Sequence, residues 1–404
     1  MKTNSRTTIL ILLCIIVSLL FGYVTYRELK VGDFEDHIGW ARNLAANGYV
    51  FVPAHSLYEE LIVTVRAFLP YNVLAKSSKL LHQIIDIKSY EIAAVVVTIL
   101  TYLAFAILIY NRLLHEWKKD EKEANPWLAG LITLVAMLVS PIFLFTLPDR
   151  MYMGYLTANP YHNPTQLLLR PFALLLFYHA YTNLYERPRL KSILVAAVLM
   201  IAATQSKANF TLIFLPALGI LALLQFRKLK NLNWLYVIFG LGLSGVGALI
   251  AQFFISMTGQ GVDKMIFAPF KAILMFVPNL WALLFFTILS LVFPLVVTFG
   301  YWQQNRHNFR LGLAWIVFLV GFVLACLFTQ VINMASLNFW WGPMIAVVIL
   351  FVESFSLAGK YGMFSLREST GRIQRWAGLA ALGLHLLCGI IYYLNTVLYP
   401  SPYL

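Results

Sequence analysis

Charged side chains are scarce in this sequence, and acidic ones most of all. Only 12% of the 404 residues are charged, and Lys and Arg outnumber Asp and Glu by 30 to 17. With 60% hydrophobic residues and a mean hydropathy of +0.76, the composition excludes a soluble globular protein of this size. We therefore expect the lipid bilayer to be the solvent of the protein.

Cysteine is also scarce, and linker-like sequence is lacking. Cys14, Cys326 and Cys388 each lie in an apolar run, which excludes a disulfide framework and shows no metal-ligand spacing. No Gly/Ser-rich linker, low-complexity tract or obvious internal repeat divides the chain. We expect one transmembrane domain over residues 1–404.

Apolar runs long enough to cross a membrane recur along the chain. A spanning helix needs about 20 largely apolar residues, which predicts about eleven transmembrane helices and an all-α, polytopic membrane fold. The first run ends in the bulky residues Tyr23, Tyr26 and Arg27, which favours an uncleaved anchor over a signal peptide. The predicted spans are 8–26, 91–112, 126–147, 165–185, 191–206, 209–226, 234–257, 279–301, 311–330, 341–358 and 376–396.

Basic residues indicate how the chain is oriented, because Lys and Arg gather in short cytoplasmic loops. With the N-terminus in the cytoplasm, that end and the loops 112–125, 186–191, 227–233, 303–310 and 360–375 hold most of the Lys and Arg. The C-terminus is then outside, as expected for a multi-pass protein of the cell membrane. The net charge of +13 reflects topology and anionic membrane lipids, and needs no nucleic-acid partner.

The loop after the first span is far longer than a connection requires. We assign 27–90 to a first extracytoplasmic loop and predict two helices in it, Phe34–Asn47 ended by Gly48 and Leu57–Leu69 stopped by Pro70. Apolar residues at roughly helical spacing in the second favour an amphipathic helix in the membrane interface. Because loops of this length usually have a function, we expect the chemistry on this face.

The residues that open this loop are the strongest candidates for chemistry. Asp33 and Asp36 are three apart and share one helix face, with Glu35 between them and His37 directly after. The alternative is structural, because acidic residues stabilise a helix N-terminus and Asp33 could act as its cap. A cap needs one acid, however, and here three acids and a histidine are concentrated where the chain leaves the bilayer.

Polar residues also interrupt the later apolar runs. His162 and Asn163 lie in a turn with two Asn-Pro pairs, which could simply be a rigid turn before a helix that starts at Pro164. Arg170 lies in the helix that follows, and a cation in an apolar span marks a functional site or an internal ion pair. Lys207 lies between two apolar runs, where it either reaches the interface or binds an anion. Arg170 and Lys207 together would suit a phosphate or diphosphate.

Two weaker signals come later in the chain. Asn338 and Trp340 belong to a short outer loop, where a tryptophan can equally be part of the interfacial aromatic belt. Glu353 is a further charge in an apolar run, and it could pair with a neighbouring helix.

Together these features resemble the GT-C superfamily of integral membrane glycosyltransferases, which includes the protein O-mannosyltransferases and the bacterial lipid A aminoarabinose transferase. The resemblance covers most of the chain in architecture: about eleven helices with the N-terminus inside, a long first outer loop with an interfacial helix, and an acid, here Asp33, after the first helix. Many members carry adjacent acids, whereas here the spacing leaves the choice between Asp33 and Asp36 open. The WWDYG-type motif and the C-terminal soluble domain of oligosaccharyltransferase catalytic subunits are lacking, which excludes that branch.

The resemblance implies an inverting transfer at the outer membrane surface from a sugar donor carried on a polyprenyl phosphate. The acceptor would be a glycan, a lipid or a protein. It implies no definite cofactor, although a divalent cation stays a candidate. Asp33 is the expected catalytic base, with Asp36 as the other candidate. The expected substrate-binding residues are His37, His162, Asn163, Arg170, Lys207, Asn338 and Trp340.

Two other functions compete with this interpretation. A transporter or flippase of a lipid-linked sugar would be expected to show repeated halves and interrupted helices with polar residues at the midplane. A polysaccharide polymerase would be expected to have a large outer loop late in the chain. Here the large loop comes first and the polar residues gather at one face, which favours the glycosyltransferase.

Overall fold

Helices dominate the computed structural model, which describes residues 2–49, 55–69, 79–118, 124–144, 154–258, 263–364 and 372–399. This confirms an all-α fold. In chain order, the α-helices of the described residues are α1 (Lys2–Glu28), α2 (Asp33–Asn47), α3 (Leu57–Ala67), α4 (Lys79–Glu116), α5 (Pro126–Leu138), α6 (Pro164–Asn183), α7 (Leu190–Ser206), α8 (Asn209–Leu224), α9 (Leu243–Thr258), α10 (Leu280–Gly300), α11 (Trp302–Asn305), α12 (Phe309–Leu327), α13 (Trp341–Lys360) and α14 (Arg372–Leu398).

Seven helices in the described residues are long and apolar enough to cross a membrane, and three shorter apolar helices accompany them. The chain is therefore a multi-pass membrane protein. Large apolar side chains such as Leu19, 68% exposed, and Trp281, 80% exposed, cover the outside of the helices. Such a surface is stable in lipid, where apolar side chains need no burial by protein. The seven spans are Ser5–Glu28, Asp86–Glu116, Tyr236–Ile255, Leu280–Gly300, Phe309–Leu327, Met334–Lys360 and Arg372–Leu398.

Asparagine side chains define where several helices begin. Asn125 and Asn163 each accept a backbone N–H from the first turn of the helix that follows, and a proline occupies the first helical position after each. Asn279 and Asn308 cap α10 and α12 in the same way. An asparagine cap satisfies an N–H that has no partner in the helix, and proline has no N–H to satisfy. These starts were readable from local sequence.

The helix α13 is the centre of the bundle, since almost every residue along it is buried. It packs most closely on α12, where Gly321 lies against the backbone of Gly342 and Pro343. A Cβ on Gly321 would come within 3.0 Å of the Pro343 nitrogen, so the close approach requires glycine. The Trp341 end of α13 is thereby fixed against its neighbours.

The predicted span over 126–147 is wrong in its second half. The helix α5 ends at Leu138, and residues 139–144 are not helical, while residues 145–147 lie outside the described chain. Pro141 explains the break, because it has no N–H and disfavours the helical conformation of Ser140. The freed Ser140 N–H donates to the backbone oxygen of His385 (3.2 Å), and the Ile142 N–H donates to that of Leu289 (3.2 Å).

His385 completes the hydrogen bonding at this break. Its Nδ1 lies 2.6 Å from the Ser140 oxygen, and its Nε2 accepts the Phe293 N–H at 3.3 Å. The ring is fully buried on α14. Non-helical backbone inside a membrane is tolerated only where protein or a cavity satisfies it, which is what His385 does here.

Glu353 is paired, as one of the sequence alternatives supposed. Arg310 donates from Nε to Glu353 Oε2 at 2.5 Å and from Nη1 to Glu116 Oε1 at 3.0 Å, and Arg112 pairs with the same Glu116. Glu353 is completely buried and Arg310 is 8% exposed. The network joins α4, α12 and α13. Each charge would be costly in the apolar interior without a partner of opposite charge.

We expect Glu353→Gln to lower the free energy of unfolding by about 3–5 kcal/mol, because it leaves the Arg310 cation buried with half of its counter-charge. Glu116→Gln is the matched control, since Glu116 is partly exposed and its loss should cost less. Unfolding by SDS or heat in the same detergent measures both. Equal stability of Glu353→Gln and the unaltered protein would contradict the prediction.

The two loop helices are present, as α2 and α3, although the predicted stop at Pro70 lies outside the described residues. The helix α2 ends at Gly48 with φ of 67°, a conformation that favours glycine. Tyr58 fixes α3 to α4, because its hydroxyl lies 2.9 Å from Thr98 Oγ1. Arg66 adds a pair with Asp86. The side of α3 that carries Tyr58 and Ile62 therefore faces protein, while Phe68 just beyond its end is 85% exposed.

The predicted span 311–330 ends three residues early. The helix α12 stops at Leu327, and the strand β2 (Phe328–Gln330) pairs antiparallel with β1 (Met265–Phe267). Asp263 holds the turn that follows, because its carboxylate accepts the backbone N–H groups of Ile332 and Asn333. The loop before α10 and the loop after α12 are thus joined to each other.

Candidate active site around Asp33

Asp33 is the first residue of α2 and does not cap it. The residue before the helix is Gly32, with φ of 57°, and no side chain caps this end. The Asp33 carboxylate instead accepts a hydrogen bond from Nδ2 of Asn163, 130 residues away. The structural alternative, in which Asp33 is a helix cap, is therefore not what the fold uses.

Asn163 links Asp33 to Lys207. Its Oδ1 lies 3.1 Å from the Lys207 ammonium nitrogen, and it also accepts the Gln166 N–H (2.8 Å) as the cap of α6. An amide offers donors on one side and an acceptor on the other, so it can bond a carboxylate and an ammonium at once. The side chain of Asn163 therefore lies between two groups of opposite charge, the Asp33 carboxylate and the Lys207 ammonium.

Lys207 lies in the short turn between α7 and α8 and is 6% exposed. Burial lowers the pKa of its ammonium to about 8, while the nearby Asp33 carboxylate opposes this shift. Besides Asn163, the ammonium donates to Thr165 Oγ1 at 3.3 Å and lies 4.5 Å from the centre of the Trp341 ring. Among the described residues, Lys207 contacts neutral oxygens and an aromatic face, and no salt bridge joins it to the nearby Asp33 carboxylate, which suits the binding of an anion.

Trp341 begins α13 and is half-buried beside this group. Its backbone oxygen accepts from Gln166 Nε2 at 3.2 Å, and the His162 ring lies 5.7 Å away, centre to centre. We call Asp33, His162, Asn163, Lys207 and Trp341 the Asp33 cluster. It joins a carboxylate, a cation, an imidazole and an aromatic face from helices that lie far apart in sequence.

His162 and His55 each have a lowered pKa in this part of the structure. Burial lowers the pKa of His162, with Lys207 acting in the same direction and Asp33 against it. Burial, Lys207 and His37 together lower the pKa of His55 to about 3. Neither imidazole therefore adds a positive charge beside Lys207.

His37 and Asp36 occupy different surroundings from Asp33. His37 is 4% exposed and pairs through Nδ1 with Glu59, which is completely buried on α3. Asp36 is exposed, and its pKa is raised by partial burial and by the Asp33 carboxylate. Of the two candidate acids, Asp33 is the one bonded to Asn163 and electrostatically coupled to Lys207.

Arg170 lies apart from the Asp33 cluster. It is 2% exposed, seven residues beyond Asn163 on α6, and its Nη1 donates to Asn159 Oδ1 at 3.1 Å. Seven residues of helix span about 10 Å. No hydrogen bond joins Arg170 to the Asp33 cluster in the described residues, and the joint phosphate site of Arg170 and Lys207 stays a prediction.

The late loop contributes a different tryptophan from the one predicted. Trp340 is buried, and its indole N–H donates to the Tyr155 oxygen at 3.1 Å, so it packs between loops while its neighbour Trp341 reaches the cluster. Asn338 is exposed, and its backbone oxygen accepts from Asn209 Nδ2 at 2.6 Å. It thus ties the loop to the start of α8, two residues after Lys207.

Sequence reasoning missed several neighbours of the cluster. His55, Glu59 and Thr165 show no local pattern that points to a site, since each takes its role from helices packed beside it. Trp341 could have been found only as a neighbour of Trp340. Within the described part of the chain, no three His, Cys, Asp or Glu side chains are placed to hold a metal ion together.

Comparisons with known proteins add no relative. No model of a known protein family matches the chain, and no curated protein sequence matches it either.

Proposed function

We propose that this chain is a membrane glycosyltransferase that moves a sugar from a polyprenyl-phosphate donor to an acceptor at the outer membrane face, with inversion and with Asp33 as general base. The observation that carries the proposal is the Asp33–Asn163–Lys207 arrangement. It provides a carboxylate that can take a proton and, on the other side of Asn163, a cation that can stabilise a departing phosphate.

The chemistry would use the two charges in one step. Asp33 takes the proton of the acceptor hydroxyl as that oxygen attacks the sugar carbon. The bond from this carbon to the phosphate oxygen breaks on the opposite side, and Lys207 stabilises the charge that develops on the phosphate. The exposed face of Trp341 offers an apolar platform for the sugar ring. Attack opposite the leaving group gives inversion.

Asn163 has a positioning role in this proposal. It holds the Asp33 carboxylate and the Lys207 ammonium at fixed places without joining them into a direct ion pair. A direct pair would neutralise both groups, whereas a bridging amide leaves each able to bind its own part of the substrate.

The orientation that goes with this proposal has about eleven crossings, with the N-terminus in the cytoplasm and the C-terminus outside. Support comes from four shorter or less apolar helices, α5 to α8, which lie where the remaining spans were predicted. The Asp33 cluster would then face the outside, together with α2 and α3. Partners would be the lipid-linked donor, a glycan, lipid or protein acceptor, and membrane lipids.

A flippase or transporter of a lipid-linked sugar is the second candidate. The observation that favours it is the break after Leu138, with the buried Arg170 close to it through Asn159. Interrupted helices with polar residues in the membrane interior are typical of transporters. In the described residues, the break and Arg170 are separate from the half-buried Asp33 and the buried Lys207, and this separation favours the transferase.

The deciding experiment follows radiolabelled sugar from a panel of polyprenyl-phosphate sugars with the purified protein in lipid vesicles. Transfer of label to an acceptor supports the glycosyltransferase. Movement of the intact labelled lipid between leaflets, without transfer, would replace it by the flippase.

Lys207 gives the proposal a predicted pH dependence. Because Lys207 must be protonated to bind phosphate and its pKa is lowered to about 8, we expect kcat/KM for the lipid donor to fall as the pH rises through about 8. In Lys207→Arg, the guanidinium stays protonated, so this alkaline fall should move to higher pH even if the rate is reduced. An unchanged alkaline limb in Lys207→Arg would remove Lys207 from the donor site.

A further inference from the structure

Arg170 is a buried cation without a carboxylate partner. No ion pair in the described residues involves it, and its one hydrogen bond goes to the neutral Asn159. Its Nε and Nη2 are buried and have no hydrogen-bond partner among the described residues. Buried donors in native proteins are almost always paired, and a buried charge more so, which means that something occupies this place.

Two tyrosine hydroxyls beside Arg170 are also buried without a hydrogen-bond partner in the described residues. These hydroxyls belong to Tyr102 and Tyr161, and both tyrosines lie near the Arg170 guanidinium. The Phe21 ring brings the two tyrosines together, since its centre lies 4.5 Å from that of Tyr102 and 6.1 Å from that of Tyr161. Guanidinium N–H groups and phenol O–H groups can all donate to one acceptor.

The end of α5 balances only part of the Arg170 charge. Asn159 accepts from Arg170 and donates from Nδ2 to the oxygens of Ala136 (3.2 Å) and Val139 (2.7 Å), where α5 stops. The carboxyl end of a helix carries about half a negative charge. Within the described part of the chain, nothing else compensates the remaining positive charge or pairs with the free donors of Arg170.

We propose that Arg170, Tyr102 and Tyr161 bind a small inorganic anion of halide size inside the helix bundle. The anion accepts from Nε and Nη2 of Arg170 and from both hydroxyls, and it completes the neutralisation that the end of α5 begins. A small ion suits this place because Arg170 is only 2% exposed and the Phe105 ring lies 5.8 Å from its guanidinium carbon, so the donors are remote from the surface where a lipid headgroup would bind.

This site is independent of the Asp33 cluster and of the transferase proposal. Asn163 and Arg170 are separated by two turns of α6, about 10 Å of helix. The role of the anion is to hold the interrupted helix α5 against α6, through Arg170 and Asn159. Its loss therefore affects the stability of the bundle rather than a reaction step.

The test measures retained halide in the full-length protein. Protein equilibrated in bromide is passed into gluconate buffer, denatured, and its bromide counted by ion chromatography. We expect about one bromide per chain in the unaltered protein and a loss of most of it in Tyr102→Phe/Tyr161→Phe, which keeps the rings and removes two donors. Arg170→Met should retain none. Tyr110→Phe, which removes a buried hydroxyl without a partner in the described residues two turns further along α4, is the matched control and should retain bromide like the unaltered protein.

Thermal unfolding gives the second readout. We expect Tm to rise by at least about 3 °C when chloride replaces gluconate at constant ionic strength, and the rise to be lost in Tyr102→Phe/Tyr161→Phe. Because this variant keeps Arg170, the test does not depend on the folding of Arg170→Met. The proposal is overturned if the unaltered protein neither retains bromide nor responds to chloride, or if the double variant behaves like the unaltered protein. A response to phosphate but not to chloride or bromide would overturn it as well.

Discussion

Asp33→Asn is expected to lower sugar transfer by at least about 10²-fold to 10⁴-fold, the usual contribution of a general base. The amide has nearly the shape of the carboxylate and can still bond Asn163, but it cannot take a proton from the acceptor. Asp33 is half-buried at the start of α2, so expression and thermal stability should change little. The measurement is transfer of labelled sugar by the purified variant in lipid.

Asp36→Asn is the matched control for this result. Asp36 lies one turn further along the same helix and is exposed, and the bond to Asn163 belongs to Asp33. We expect the Asp36 variant to keep most of its activity. An active Asp33→Asn together with an inactive Asp36→Asn would move the base to Asp36, the choice that the acid spacing leaves open.

Asn163→Asp is expected to lower kcat/KM by about 10²-fold at neutral pH and to move the acidic limb of the pH profile upward. The new carboxylate would lie against that of Asp33, and two carboxylates in contact share a proton, which raises the pKa of the pair. The base would then be ionised only at higher pH. Aspartate caps a helix about as well as asparagine, so the start of α6 should remain stable.

The variant Asn163→Ser tests separately the two roles of Asn163, as a link between Asp33 and Lys207 and as the cap of α6. Serine also caps a helix, but it is too short to reach both Asp33 and Lys207. We expect a loss of activity with the acidic limb left near its original pH, since no second carboxylate is added. Identical pH profiles for the Asp and Ser variants would show that Asn163 does not control the protonation of Asp33.

The Asp33→Asn variant also distinguishes the transferase from the competing flippase. A flippase needs no base, so Asp33→Asn would leave lipid movement intact while a change at the interrupted helix would reduce it. In a transferase, Asp33→Asn should abolish sugar transfer, while a change at the interrupted helix should leave the chemical step intact. These outcomes are separable because Asp33 lies at the start of α2, whereas Arg170 lies beside the break that follows α5.

The sequence by itself determined the membrane class and most helix positions. These depend on neighbours in the chain: the length of an apolar run, an Asn-Pro pair at Asn163, or a glycine at Gly48. A bilayer requires every backbone group to be satisfied within the segment, so a long apolar run has almost no alternative to a helix. The break after Leu138 was missed, although Pro141 marks it, because the non-helical residues are as apolar as a helix would be.

Only the tertiary structure decided which polar residues act together. Asp33 and Asn163 are 130 residues apart, and Asn163 and Lys207 are 44 apart, so their contact depends on how α2, α6 and the turn before α8 pack. The same packing places Trp341 rather than Trp340 at the cluster and takes Arg170 into the interior. Helix packing in lipid is set by close shape fit and by hydrogen bonds between distant segments, and neither is encoded in the local pattern of polar and apolar residues.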